Sequence, residues 1–234
     1  MSVSRKTQPS TQDKFAVALL EMKAALDKLD PSSHTGEDAG WQERKSASTR
    51  ISLLDATVNC LADFGYAKTT TQLVAAKAEI SRGAMLHHYN TKADLISATI
   101  DYIMFRRMDN FYSAISLLTK QQREEQEGIE IYWKSMQTPE YEAYLELSIA
   151  SRTDKDLDKQ FTKRAIAFDD YCFGQTSVFF PEWSNETKEK QRLAHDLIMC
   201  AVEGLHIRKT LMTTRKRRIA VRDYIKNMVQ MLKE

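Results

Sequence analysis

The sequence predicts an all-α protein, and three observations carry that expectation. Apolar residues recur at helical spacing along most of the chain, with no run of period-two alternation long enough for a strand. Glycine and proline are scarce, 7 and 4 in 234 residues, where β proteins spend many on turns. Hydroxyl residues stand just ahead of several apolar stripes, where helices find their N-caps.

The elements follow in order. Phe15, Ala18, Leu19, Met22, Ala25, Leu26 and Leu29 share one stripe, so Asp13–Leu29 is expected as an amphipathic helix. The run "PSSHTGEDAGW" from Pro31 to Trp41 reads as a linker. A second helix is expected from near Ser48, with Ile51, Leu54, Val58, Leu61 and Phe64 inward and Gly65 at its C-terminal stop. Thr69 and Thr70 suit the start of a short third helix that turns Leu73, Val74 and Ala78 inward. Ser81 suits the start of another short helix, through Tyr89. Thr91, with Asp94 three places on, forms a capping-box pattern ahead of a long helix that buries Leu95, Ile96, Ile100 and Ile103.

Beyond Lys120 the stripes stay helical and become more aromatic, broken at Pro139, at Thr153–Asp154 and at "PEWSNET" from Pro181. One long helix is expected from about Glu186 to Thr213 and a last one from about Arg217 to Lys233. The run "RKRR" at Arg215–Arg218 reads as a solvated connection between them.

Composition narrows the function classes. A formal net charge of +2 means that any nucleic-acid contact must come from a local patch. Three widely spaced cysteines, with no C-x-x-C pair, argue against a disulfide framework or a zinc site and for a reducing cytoplasm. No apolar run approaches the roughly 18 residues that span a bilayer. The polar N-terminus has no signal-peptide core. The expectation is a cytoplasmic protein with no membrane partner, no cofactor and no metal.

The segment "AEISRGAMLHHYNTKADL" from Ala78 to Leu95 carries the functional signal. Two short helices joined by a tight turn, braced by a longer helix, make a helix-turn-helix whose second helix enters a DNA major groove. Gly83 and Ala84 keep its leading face slim, and Arg82, His87 and His88 can reach base edges or phosphates. Met85 and Tyr89 point back and are expected to hold the helix onto Val58, Leu61 and Leu73. The two histidines make a poor metal site, since helix neighbours project about 100° apart. The segment offers no nucleophile or carboxylate for a catalytic pair.

With those residues in view, the span from Arg50 to about Leu95 resembles the N-terminal DNA-binding domain of the TetR family of bacterial transcriptional regulators. The resemblance is carried by "GYAKTT" at Gly65–Thr70, "LVAAKAEISRGAMLHHY" at Leu73–Tyr89 and "TKADL" at Thr91–Leu95. It implies that Thr70 contacts phosphate, that Ser81, Arg82, Ala84, His87 and His88 face the groove, and that Lys92 grips the DNA backbone. Three positions depart from the family pattern. Glu79 stands in the turn where glycine is usual, Leu86 replaces a common aromatic, and Tyr89 replaces phenylalanine.

The resemblance also implies a variable C-terminal helical domain that binds a small molecule and dimerises. The expected division is an extension over 1–45, a three-helix DNA-binding domain over 46–95, and a ligand-binding and dimerisation domain over 96–234. Among its aromatics, Trp133, Tyr144, Phe168 and Tyr171, with Cys172, are the candidate cavity residues; Glu146, Asp169 and His206 are alternatives for orienting a ligand. Leu197, Ala201, Gly204, Leu205, Tyr224 and Met228 form the candidate homodimer stripe. The expected partners are double-stranded operator DNA, an apolar effector and a second copy of the chain. The expected role is a repressor rather than an enzyme. An all-α enzyme, or a helical adaptor docking through its front helices, stands as the alternative.

Overall fold

The computed structural model of the protein describes residues 41–119, 121–122, 127–180, 183 and 185–232. The expected helix at Asp13–Leu29 lies outside the described residues. Every regular element among the described residues is helical: α1 (Trp41–Phe64), α2 (Thr71–Lys77), α3 (Arg82–His88), α4 (Lys92–Ser116), α5 (Glu127–Ser135), α6 (Pro139–Ser151), α7 (Lys155–Phe179), α8 (Lys188–Ile207) and α9 (Arg215–Met231). The all-α expectation holds.

Side-chain caps explain most of the starts. Thr70, Ser81, Thr91, Thr138, Thr187 and Thr214 each accept a backbone N–H from the first turn of the helix they precede, and Asp154 does the same for α7. At α4 the capping box is complete, with Asp94 Oδ2 accepting the Thr91 N–H at 3.0 Å. Pro139 occupies the first turn of α6, where its missing N–H costs nothing. Thr69 has a different task. It is buried and donates its hydroxyl to the Gly65 carbonyl.

Two boundaries differ from expectation. Helix α1 begins at Trp41 rather than near Ser48, and the polar "QERKSAS" run extends it by a mostly exposed segment that buries Ala47. The basic run Arg215–Arg218 is the first turn of α9, not a connection. Four cations at the positive end of a helix dipole are unfavourable in themselves. Thr214 caps the turn, and Arg218 donates back to the Met212 carbonyl.

The core lies in layers around α1 and α4. Leu53, Ala56 and Cys60 on one face of α1 pack with Val74, Ala75, Met85 and Leu95, which closes the three-helix front unit. Leu54, Val58 and Leu61 lie on the other face, against Ile96, Ile100 and Ile103 of α4, Ala143 and Leu147 of α6, and Leu157 and Phe161 of α7. Met85 therefore seats against Leu53, Ala56 and Cys60 rather than Val58 and Leu61. A helix buried on two faces has no single inward stripe to read. The buried hydroxyls of Thr57 and Thr99 donate to the carbonyls of Leu53 and Leu95 at 2.7 Å, so neither is left unsatisfied. A further cluster joins Ile129 and Tyr132 of α5, Met136 just after it and Tyr141 of α6 to Val202 of α8 and Ile225 and Val229 of α9.

Candidate nucleic-acid interface and ligand cavity

The exposed surface of the front unit is built by its two caps and one strained turn. Helix α2 ends at Lys77, and the chain reverses through Ala78, Glu79 and Ile80, with Glu79 at φ 57°. That left-handed conformation costs a residue with a Cβ about 1 kcal/mol or more. Ser81 then accepts the Ala84 N–H and starts α3. Only Met85 of α3 is fully buried. Thr70, Ser81, Arg82, Gly83, Ala84 and His87 are exposed, on the side of the unit away from the core. A Cβ built on Gly83 meets nothing within 4 Å, so the protein itself leaves that strip open.

His88 is half-buried, with its pKa lowered by burial and by the nearby charges of His87 and Arg50. It is thus the least available of the groove candidates. Arg50, on α1, is the neighbour that no motif singled out. Lys92 is placed differently from expectation. Its ammonium donates to the Tyr66 carbonyl at 2.8 Å and lies 4.2 Å from the Tyr66 ring centroid, and burial lowers its pKa. The ammonium is turned into its own domain, and the exposed part of that corner is the start of α4 at Thr91.

Behind this unit, α4 to α9 line a cavity of about 690 Å³. Its walls carry Met108, Phe111, Tyr132, Tyr144, Phe161, Phe168, Cys172, Phe180 and Trp183, with Arg107, Asp169, Arg192, His195 and Glu203 among them. At the α7–α8 wall, Arg192 is held by Asp169 at 2.6 Å, Asp196 at 3.0 Å and Asp170 at 3.4 Å, and His195 Nε2 lies 3.2 Å from Asp169. The Tyr132 hydroxyl donates to Glu203 Oε1 at 2.9 Å, and burial raises the pKa of that phenol well above its ordinary value. Burial also pushes the Cys172 thiol up to about 12, so it packs as a neutral group, 3.8 Å from the Met108 sulfur. Among the described residues no group of three or more His, Cys, Asp or Glu side chains is placed to hold a metal ion.

Comparison with known proteins places this arrangement. Residues 53–99 match the model of the "Bacterial regulatory proteins, tetR family". HTH-type transcriptional regulators of Mycobacterium tuberculosis and Mycobacterium bovis are 24% identical over 119 residues, which is 51% of this chain and 61% of theirs. Over residues 53–99 the chain resembles the TetR family.

The fold agrees with TetR-family structures well beyond the matched segment. A regulator from Rhodococcus sp. superposes with a TM-score of 0.58 at 14% identity, covering 80% of this chain and 100% of that one. One from Haloarcula marismortui gives 0.59 at 17% identity, covering 79% and 98%. The multidrug binding protein EbrR, solved with imidazole, gives 0.54 at 16% identity, covering 82% and 95%.

The expected C-terminal site residues divide. Tyr144, Phe168 and Cys172 line the cavity, and so does Asp169. Trp133 does not. It packs in the α5–α8–α9 cluster, with the Arg222 guanidinium 4.9 Å over its ring. Tyr171 is 38% exposed, because about 100° per residue carries it off the stripe that Phe168 and Cys172 share. Glu146 binds the front unit and His206 pairs with Glu142, so neither serves the cavity. Of the expected dimer stripe, Tyr224 and Met228 are exposed, Leu197, Ala201 and Gly204 are half-buried, and Leu205 is buried inside its own subunit. Leu193, Ile207, Leu211 and Met231 are also exposed on α8, α9 and their connection. Arg107 and Glu203 were missed, since charged residues beside an apolar stripe ordinarily mark its solvent edge.

Proposed function

We propose that this protein is a homodimeric regulator that binds operator DNA through α3 and releases it when a small, largely apolar effector enters the cavity. One observation carries the proposal. Helix α4 starts beside the proposed DNA-facing corner at Thr91 and Lys92, and its second half supplies Arg107, Met108 and Phe111 to the cavity wall. A ligand that moves the far end of α4 must move the front unit with it. Residues 46–95 would hold the DNA and residues 96–234 the effector and the second subunit, with α4 shared by both.

Thr70, Ser81, Arg82, Ala84, His87 and His88 are the proposed contacts in and beside the groove. The first-turn N–H groups of α4 offer a phosphate site that does not need the Lys92 ammonium. Two copies would place their recognition helices about 34–36 Å apart, one turn of DNA. A cavity able to accept drug-sized molecules supports the effector half of the proposal, as does imidazole bound to EbrR. Among the described residues no helix is long and apolar enough to cross a membrane.

The test is a gel-shift titration on DNA from upstream of the protein's own gene. Salt-sensitive, sequence-selective binding that weakens with extracted small molecules is expected. Binding that is equal on unrelated DNA removes the operator claim.

A further inference from the structure

We propose that the cavity takes an amphiphile with a carboxylate head and that Arg107 is the residue that reads it; this rests on the cavity being the effector site. Arg107 leaves α4 into a wall of rings. Its guanidinium lies 4.0 Å from the Tyr144 ring centroid, 5.0 Å from Phe168 and 5.2 Å from Tyr141. Ring faces stabilise a cation but accept none of the in-plane hydrogen bonds that a guanidinium offers. The guanidinium hydrogen-bonds the Tyr144 side chain, yet its buried Nη1 has no hydrogen-bond partner among the described residues.

A second arginine of the lining shows what is missing. Arg192 is ion-paired with Asp169, Asp170 and Asp196. Among the described residues no carboxylate is ion-paired with Arg107. A buried charged donor without an acceptor is costly, and a planar guanidinium suits a carboxylate best. Glu203 sits in the same lining and is engaged by the Tyr132 hydroxyl. Its charge opposes an anionic head, so it weakens the affinity that Arg107 provides. The surrounding apolar wall, with Phe111, Phe161 and Met108, fits a hydrocarbon body.

The experiment uses the full chain and three probes of one skeleton, decanoate, decanamide and decylamine, each titrated calorimetrically below its aggregation concentration. Decanoate is expected to bind roughly ten- to hundredfold more tightly than decanamide, the range of a charge-assisted hydrogen bond. Arg107→Met should abolish that difference, and Glu203→Gln should widen it. Equal binding of decanamide or decylamine, or a preference kept by Arg107→Met, overturns the proposal. Should Arg107→Met fail to fold, Glu203→Gln decides, and an unchanged preference overturns it. If decanoate binds through Arg107 while operator affinity stays constant, the ligand class stands and the effector role falls. If none of the three binds, both fall.

Discussion

The backbone N–H of Tyr66 donates to Glu146 Oε1 at 2.8 Å, tying the turn after α1 to the middle of α6. Tyr66 is joined on two more sides, by Lys92 at its carbonyl and by Asp154, the cap of α7, at its hydroxyl. One residue of the front unit thus touches the starts of α4 and α7 and the body of α6. Gly65 makes the approach possible. Its φ is +80°, and a Cβ there would stand 2.9 Å from Glu146 Oε1.

Glu146→Ala should therefore lower stability by about 1–2 kcal/mol, the cost of leaving a backbone N–H without its charged acceptor. It should also loosen the link between effector and operator. Denaturant midpoints give the first quantity, and operator affinity measured with and without effector gives the second. A variant as stable and as responsive as the parent would show that the Tyr66 junction carries no coupling.

Much of the front unit was legible because its signals are local. Ser81, Thr91 with Asp94, and Gly65 act on backbone groups within four residues, so spacing alone exposes them. The cavity depends on which sides of several helices meet. Trp133 and Tyr171 look like cavity residues by composition, yet helical phase and the Arg222 stack take them elsewhere. The only trace of Arg107 was the pair Arg106–Arg107 interrupting an apolar stripe, which also describes an ordinary solvated edge. Leu205 sits beside exposed positions on α8 and differs only in facing its own subunit.

Arg82 and Gly83 separate DNA contact from stability. Arg82→Ala should cost about 1–3 kcal/mol of operator affinity and relax selectivity at one base pair. Gly83→Ala should raise stability by about 1 kcal/mol, since it gains helix propensity and its methyl meets nothing in the protein. If α3 lies in the groove, that same methyl should weaken operator binding. A melting temperature and an operator affinity that rise together would place the Gly83 strip away from DNA.

Glu79 holds a left-handed backbone that glycine adopts freely. Glu79→Gly should stabilise the protein by about 1 kcal/mol without altering the fold. Thermal unfolding checks it, and a loss of stability would mean that the carboxylate makes a compensating contact.

Acid should destabilise the α6–α8 junction. His206 is buried against Glu142 and Gln137, and burial, aided by the charge of Lys209, lowers its pKa below the ordinary 6.5. The folded state resists a proton that the unfolded chain accepts, so unfolding takes up protons in that window. Stability is full above about 6.5 and falls as the pH drops toward the folded pKa. Glu142 adds a second loss at lower pH. Burial pushes its carboxyl up, but the Lys209 hydrogen bond and the neighbouring charges outweigh that and leave it below 4.5. The unfolding midpoint should therefore drop between pH 7.5 and 5.5, and His206→Gln should flatten the slope. An equal slope in the variant would assign the effect to other groups.

The last prediction concerns the second subunit. Leu193 and Ile207 on α8, Leu211 after it, and Tyr224 and Met231 on α9 are each more than half exposed. Helices α8 and α9 pack together and are joined by a short connection, so these side chains can share one face as antiparallel neighbours. An apolar face is costly in water, and in the proposed dimer a self-complementary pair of helices from each chain would cover it by two-fold symmetry. Leu193→Glu with Tyr224→Asp should leave each subunit folded, because neither side chain serves its own core. The same change should set charge against charge across the two-fold axis. Sedimentation should then give the mass of one chain instead of two, with an unchanged helical signal. Operator affinity should collapse as well, since half-sites one turn apart need both recognition helices held together. A double variant that sediments as a dimer would move the interface off α8 and α9.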